Sequence, residues 1–199
     1  MLPENKRIRT KKQLREWLAV ETRDYDHLGP LQGFLNLFAL NQGAILRRHI
    51  VLLRTTEYHL NAGHRLRAGL WRLRLRRLQN RYGMHVALNC CGKGLKIMHL
   101  GPLLMNAKIT VGENCSFHFN TAVVAGGTDD AVPTLGDNVM LGIGAVVLGG
   151  VTIADGVAVG ANAVVNRDVL EPDITVAGVP AKKISDHGTL AWNKGAKPR

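Results

Sequence analysis

Residues 135–165 divide into hexads: 135 LGDNVM, 141 LGIGAV, 147 VLGGVT, 153 IADGVA and 159 VGANAV, then Val165. The first position of each is aliphatic: Leu135, Leu141, Val147, Ile153, Val159 and Val165. The next residue is small at Gly136, Gly142, Ala154 and Gly160, with Leu148 and Asn166 as exceptions. Four places after each aliphatic stands another small or β-branched residue: Val139, Ala145, Val151, Val157, Ala163 and Val169. An amphipathic α-helix returns its apolar face every 3.6 residues, so a period of six excludes it. The period predicts a prism of short strands, three sides to a coil, each side sending one aliphatic side chain inward and turning at small residues. Stacked coils then pair their backbones at about 4.8 Å, and each buries its neighbour's face.

Backwards from there the series continues through Val123, Phe117, Val111 and Met105. The gap between 123 and 135 holds Gly126, Gly127, Asp129, Asp130 and Pro133, which reads as a loop over about 124–134. Upstream of 84 the period is helical. Leu14, Trp17, Leu18 and Glu21 follow Thr10; Leu31, Phe34, Leu35 and Phe38 follow the break at Gly29-Pro30. Two further helices are expected over about 44–60 and 64–81, the last closed by Tyr82-Gly83. The fold class is therefore mainly β with an α N-terminal part. A helical segment spans 1–83, a parallel β-helix 84–185 and a tail 186–199.

The bulk properties agree. Aromatic residues make up 5% of the chain against 22 glycines, as suits repetitive coils better than a sandwich built on large rings. Residues 1–85 hold 17 of the 26 Lys and Arg and 6 of the 15 Asp and Glu, so they carry the whole surplus of +11. Such a basic half suits an anionic partner. Cys90, Cys91 and Cys115 form no C-x-x-C pair, which argues against a disulfide framework and a zinc site; no metal is expected. The polar start and the Gly-broken apolar run 139–165 give no signal-peptide or membrane-span pattern. The location expected is cytoplasmic, with peripheral contact at the inner face of the membrane as an open addition.

The repeat and its ending, Ala177-Gly178-Val179-Pro180-Ala181-Lys182-Lys183-Ile184, resemble the hexapeptide acyltransferases. Within them the chain is similar to the serine acetyltransferase branch, including relatives placed in bacterial polysaccharide biosynthesis. Gly94–His99, Gly112–His118, Leu135–Val139, Gly160–Asn166 and the helical Arg54-Thr55-Thr56-Glu57-Tyr58 carry the resemblance. It implies a left-handed β-helix, a homotrimer (trimers pairing in the serine enzymes), and acetyl-CoA as co-substrate in the groove between subunits. The activity implied is direct O-acetyl transfer to a hydroxyl of L-serine or of a saccharide.

That chemistry needs a base for the hydroxyl proton, a donor for the thioester oxygen, and alignment of both substrates. His99 matches the family's histidine and is the expected base; His118 is the second catalytic candidate, placed one coil on if the coil there has 18 residues. For acetyl-CoA the small residues Gly142, Gly144, Ala145, Gly160 and Ala161 are expected to leave amides accessible to the pantetheine arm. Gly126 and Gly127 are candidates near the thioester, and Lys182 and Lys183 for the CoA phosphates. Two departures put serine in doubt. Met98 stands where the family has an aspartate, and Val132-Pro133 where a second histidine precedes proline. Asp129 or Asp130 is a candidate to replace the first, with a solvated loop aspartate as the alternative reading. Cys115, at a fifth hexad position, reads as core.

Arg65, Arg67, Arg72, Arg74, Arg76, Arg77 and Arg81 crowd the fourth helical segment among two apolar stripes, Leu66-Leu70-Leu73 and Trp71-Leu75-Leu78. A packed helix with a solvated basic face, an interfacial helix on anionic lipid, and a nucleic-acid contact compete in that order. No nucleic-acid-binding motif supports the third, and no such partner is expected. An N-acetyltransferase acting on an amino sugar and a non-catalytic scaffold remain as alternatives to the O-acetyltransferase.

Overall fold

The computed structural model describes residues 1–25, 41–127 and 130–192. The expected helix around Leu31–Phe38 and residue Asp129 lie outside them.

Among the described residues, three α-helices precede the strands: α1 (Lys11–Glu21), α2 (Gln42–Asn61) and α3 (Arg65–Tyr82). Thr10 caps α1 in a capping box with Gln13, the side chain of each accepting a backbone N–H of the other. The Asn41 carboxamide oxygen accepts from Gly43 and Ala44 at the start of α2. Gly83, at φ 70°, ends α3 in the left-handed conformation that favours glycine. Only one of the two α3 stripes is buried: Leu75 and Leu78 pack inward, whereas Leu66, Leu70 and Leu73 stand in solvent.

The strands that follow form three sheets, the sides of a parallel β-helix. The first sheet stacks β1 (Met84–His85), β3 (Leu103–Met105), β6 (Thr121–Val124), β9 (Val146–Leu148) and β12 (Val164–Val165). The second stacks β4 (Thr110–Val111), β7 (Thr134–Leu135) and β10 (Thr152–Ile153). The third stacks β2 (Lys96–Ile97), β5 (Ser116–Phe117), β8 (Met140–Leu141), β11 (Ala158–Val159) and β13 (Thr175–Ala177). A last strand, β14 (Lys182–Ser185), turns back antiparallel on β13. A short helix, α4 (Thr189–Trp192), closes the described chain.

The hexad aliphatics stand in three internal columns. Val111, Leu135 and Ile153 align on one side, Ile97, Phe117, Leu141, Val159 and Val176 on the second, and Met105, Val123, Val147 and Val165 on the third. None is more than 4% exposed. Each such burial contributes about 1.5–3 kcal/mol, so the columns carry the domain. The small residue after each aliphatic lies under the next coil's backbone: a Cβ on Gly112 would come within 2.5 Å of the Gly136 carbonyl carbon. Corners turn through left-handed residues three places after the aliphatic, at Asn114, Asn120, Asn138, Gly144, Gly156 and Asn162.

Three coils depart from the 18-residue repeat, the last of them one residue short where Val159 pairs with Val176. Val111 pairs with Leu135, six residues over, and the surplus is the loop between β6 and β7. Ile97 pairs with Phe117, and Met105 with Val123, so the corner 98–102 carries two extra residues. His99 is thus not one regular coil before Phe117.

A buried ion cluster joins the helices to the first coil. Arg54, in α2, donates from Nε and Nη2 to Glu21 (2.9 and 2.8 Å) and from Nη1 to Glu57 (2.8 Å). Its remaining two N–H groups reach the carbonyls of Cys91 and Gly92. Glu21 also accepts from the amides of Gly94 and Leu95, and Glu57 from that of Asn89. All five guanidinium donors are therefore used, as a buried cation requires.

Candidate active site

The corner between the third and first sheets gathers most of the expected site residues. The extra length at 98–102 lifts His99 out of the coil, and its ring lies exposed, 5.7 Å from the ring of His118. The edge of Phe119 closes one side at 6.2 Å. His118 follows the last inward residue of β5, and its amide is tied to the Leu141 carbonyl at 3.0 Å. Its Nδ1 is buried and has no hydrogen-bond partner among the described residues. Burial, and secondarily the neighbouring His99, lower its pKa below the usual 6.5, so His118 is neutral at pH 7.

Helix α2 reaches this corner through its first residue. Gln42 accepts the Leu100 amide on Oε1 (3.2 Å) and places Nε2 3.4 Å from Nδ1 of His99. Sequence reading missed Gln42, because nothing local links position 42 to position 99. Nearby, Tyr25 donates its hydroxyl to the Ile97 carbonyl at 2.5 Å, and Lys96 pairs with Asp24. Asp130 does not supply the missing acid: it is exposed and sits 3.6 Å from Lys108.

Register places Met98, His118, Gly142, Gly160 and Ala177 in one outer column, one residue past the inward column of the third sheet. Lys182 pairs with Ala177, so a lysine stands at the far end of this track of small residues. Three expectations need correction. The amides of Gly142 and Gly160 are occupied by the Val159 and Val176 carbonyls, and those of Gly144 and Ala145 by Phe119 and Gly142. A ligand therefore meets the glycines' bare Cα faces there and not free N–H groups. Ala145 is buried inside the prism and cannot be touched from outside. Lys183 is held by Glu171 at 2.5 Å and Asp186 at 2.6 Å. Ala161 is exposed beside Gly160. Gly126 and Gly127 lie at a different corner, after β6 of the first sheet, where Gly126 packs on Gly149.

Cys115 is enclosed in the prism, and burial raises its thiol pKa to about 12, so it is not a nucleophile at neutral pH.

A family model described as bacterial transferase hexapeptide (six repeats) matches residues 133–167. A serine acetyltransferase of Synechococcus elongatus is 38% identical over 101 residues, 49% of this chain and 40% of that one. The chain carries bacterial transferase hexapeptide repeats over residues 133–167 and is similar to serine acetyltransferases. Soybean serine acetyltransferase complexed with serine superposes on this serine acetyltransferase-like chain with a TM-score of 0.64. That match has 26% identity and covers 87% of this chain and 70% of that one. The serine acetyltransferase of Brucella abortus strain S19 in complex with coenzyme A gives 0.65 at 22% identity, over 89% and 70%, a likeness of fold. The chain spans about half or less of the length of the curated relatives it matches.

Proposed function

We propose that this chain transfers an acetyl group directly from acetyl-CoA to a hydroxyl, with His99 as general base. The observation that carries the reading is the pairing of His99 with a neutral His118 at the head of a small-residue track ending at Lys182. An exposed imidazole can take the acceptor's proton while the alkoxide attacks the thioester carbon and the CoA thiolate leaves. The Nδ1 of His118, buried and without a hydrogen-bond partner among the described residues, keeps its hydrogen-bonding capacity for the His99 ring beside it. The bare faces of Gly142 and Gly160 allow an extended pantetheine arm to lie close, and Lys182 is placed for a CoA phosphate. The serine acetyltransferase relatives support the same cofactor.

In this reading the β-helix is left-handed and three copies form the working unit, acetyl-CoA lying between neighbours with Gly126 and Gly127 facing it from the next subunit. The acceptor is L-serine or a saccharide hydroxyl in cell-surface polysaccharide synthesis. A saccharide is favoured by the departures from the serine pattern at Met98 and at Val132-Pro133. The test is CoA thiol release from acetyl-CoA, with L-serine and with a panel of sugars, for wild type and His99→Ala. Release that disappears in the variant supports the reading, and the productive acceptor decides between serine and sugar. No release with any acceptor, and no acetyl-CoA binding by calorimetry, overturns it.

A further inference from the structure

Helix α3 is apolar on two opposite sides. Its inner side, Ala68, Trp71, Leu75, Leu78 and Tyr82, packs on the core. Its outer side presents Leu66, Leu70 and Leu73 at 93%, 50% and 48% exposure. Their spacing of i, i+4 and i+7 sets them in one stripe, which Arg77 continues. Arg67, Arg74 and Arg81, seven residues apart, line one flank; Arg65, Arg72 and Arg76 line the other. The helix contains no acidic residue, and none of its seven arginines pairs with a carboxylate among the described residues.

We infer that the outer face of α3 lies on an anionic lipid surface. A leucine stripe between two arginine rims matches the boundary between acyl chains and headgroups, with the arginine stems reaching back to lipid phosphates. Charge complementarity selects this occupant. A second copy docking here would set seven arginines against seven with no carboxylate in either helix. A nucleic acid would take the arginines and leave the leucines, the centre of the face, in water. Among the described residues no helix is long and apolar enough to cross a membrane, so the contact is interfacial. The inference does not depend on the acetyl-transfer reading.

The experiment is co-sedimentation of the full chain with vesicles of phosphatidylcholine alone and of equimolar phosphatidylcholine and phosphatidylserine. Partition to the mixed vesicles is expected to exceed that to the neutral ones by at least about tenfold and to weaken with added salt, since each arginine adds about fivefold near an anionic surface. The variant Leu66→Ser/Leu70→Ser/Leu73→Ser, and separately Arg67→Glu/Arg74→Glu, is expected to lose about tenfold or more. Because these side chains are exposed, circular dichroism and light-scattering mass should not change. Equal partition to both vesicle types overturns the inference, as does undiminished binding by the leucine variant. A fall in that variant's mass would assign the face to a second copy instead. Duplex DNA binding that ignores the leucines, without vesicle binding, would assign the arginines to nucleic acid.

Discussion

Replacing Arg54 by methionine should be among the most damaging single changes in the molecule. The guanidinium is enclosed, and the side chains of its two partners are 0% and 2% exposed at Glu21 and Glu57. Methionine fills much of the volume and removes the charge and five donors. Glu21 keeps the amides of Gly94 and Leu95, and Glu57 that of Asn89, but both carboxylates stay in the interior without a cation. The carbonyls of Cys91 and Gly92 lose their donor as well. Breaking a buried ion pair from one side costs about 3–5 kcal/mol, against a total stability of about 5–15 kcal/mol. Burial already raises the Glu57 pKa despite Arg54, so losing the cation drives the Glu57 carboxyl further towards protonation. The deficit should therefore be larger at pH 7 than at pH 5. Glu21→Gln and Glu57→Gln added to Arg54→Met remove the stranded charges and keep acceptors for the amides, so most of the loss should return. Urea unfolding followed by circular dichroism measures all of this. A loss below about 1 kcal/mol for the single variant, or a triple variant less stable than the single, would refute the assignment of Arg54 as the buried tie between helices and coil.

His49 should make the protein acid-sensitive: it is fully buried, and burial depresses its pKa to about 4 against the opposing effect of the Met84 backbone. The unfolded chain takes up that proton near pH 6.5 and the folded one only near 4, so stability is lost as pH falls through this window, by about 3 kcal/mol in all. His49→Leu should flatten the pH dependence of the urea midpoint, and an unchanged slope would count against it. Gly112→Ala should cost about 1–3 kcal/mol, because its Cβ would meet Gly136 backbone. Gly69→Ala, open within 4 Å and inside α3, should stabilise by about 0.5–1 kcal/mol, and thermal melts of the pair compare stack with helix directly. Gln42→Glu should move the pH–rate profile of acetyl transfer to higher pH by stabilising a protonated His99, whereas Gln42→Ala should lower the rate without that displacement. An identical profile for all three would remove Gln42 from the site.

What the sequence discloses follows from what repeats. The three inward columns together need one aliphatic residue every six positions, so Leu135 through Val165 announce the coil and its core without help from distant residues. The loop between β6 and β7 is legible for the same reason: its surplus is one hexad, which leaves the phase intact on both sides. Convergences are not legible. Arg54, Glu21, Glu57 and the backbone of 91–95 meet only once two helices and a coil are assembled, and no local pattern in any of them records the others. On α3 the periodicity yields two leucine stripes of equal quality, and only the packing of α2 decides which one is buried. Ala145 shows the converse error: a small residue read as a contact for a ligand is small because it points into a narrow prism. The corner at His99 combines both limits. Two residues beyond the repeat displace it from the register that periodicity would assign, and that displacement brings its ring out beside His118 and under Gln42. A regular coil has no free position for a side chain that must leave the surface, so the break in the repeat marks the site better than the repeat does.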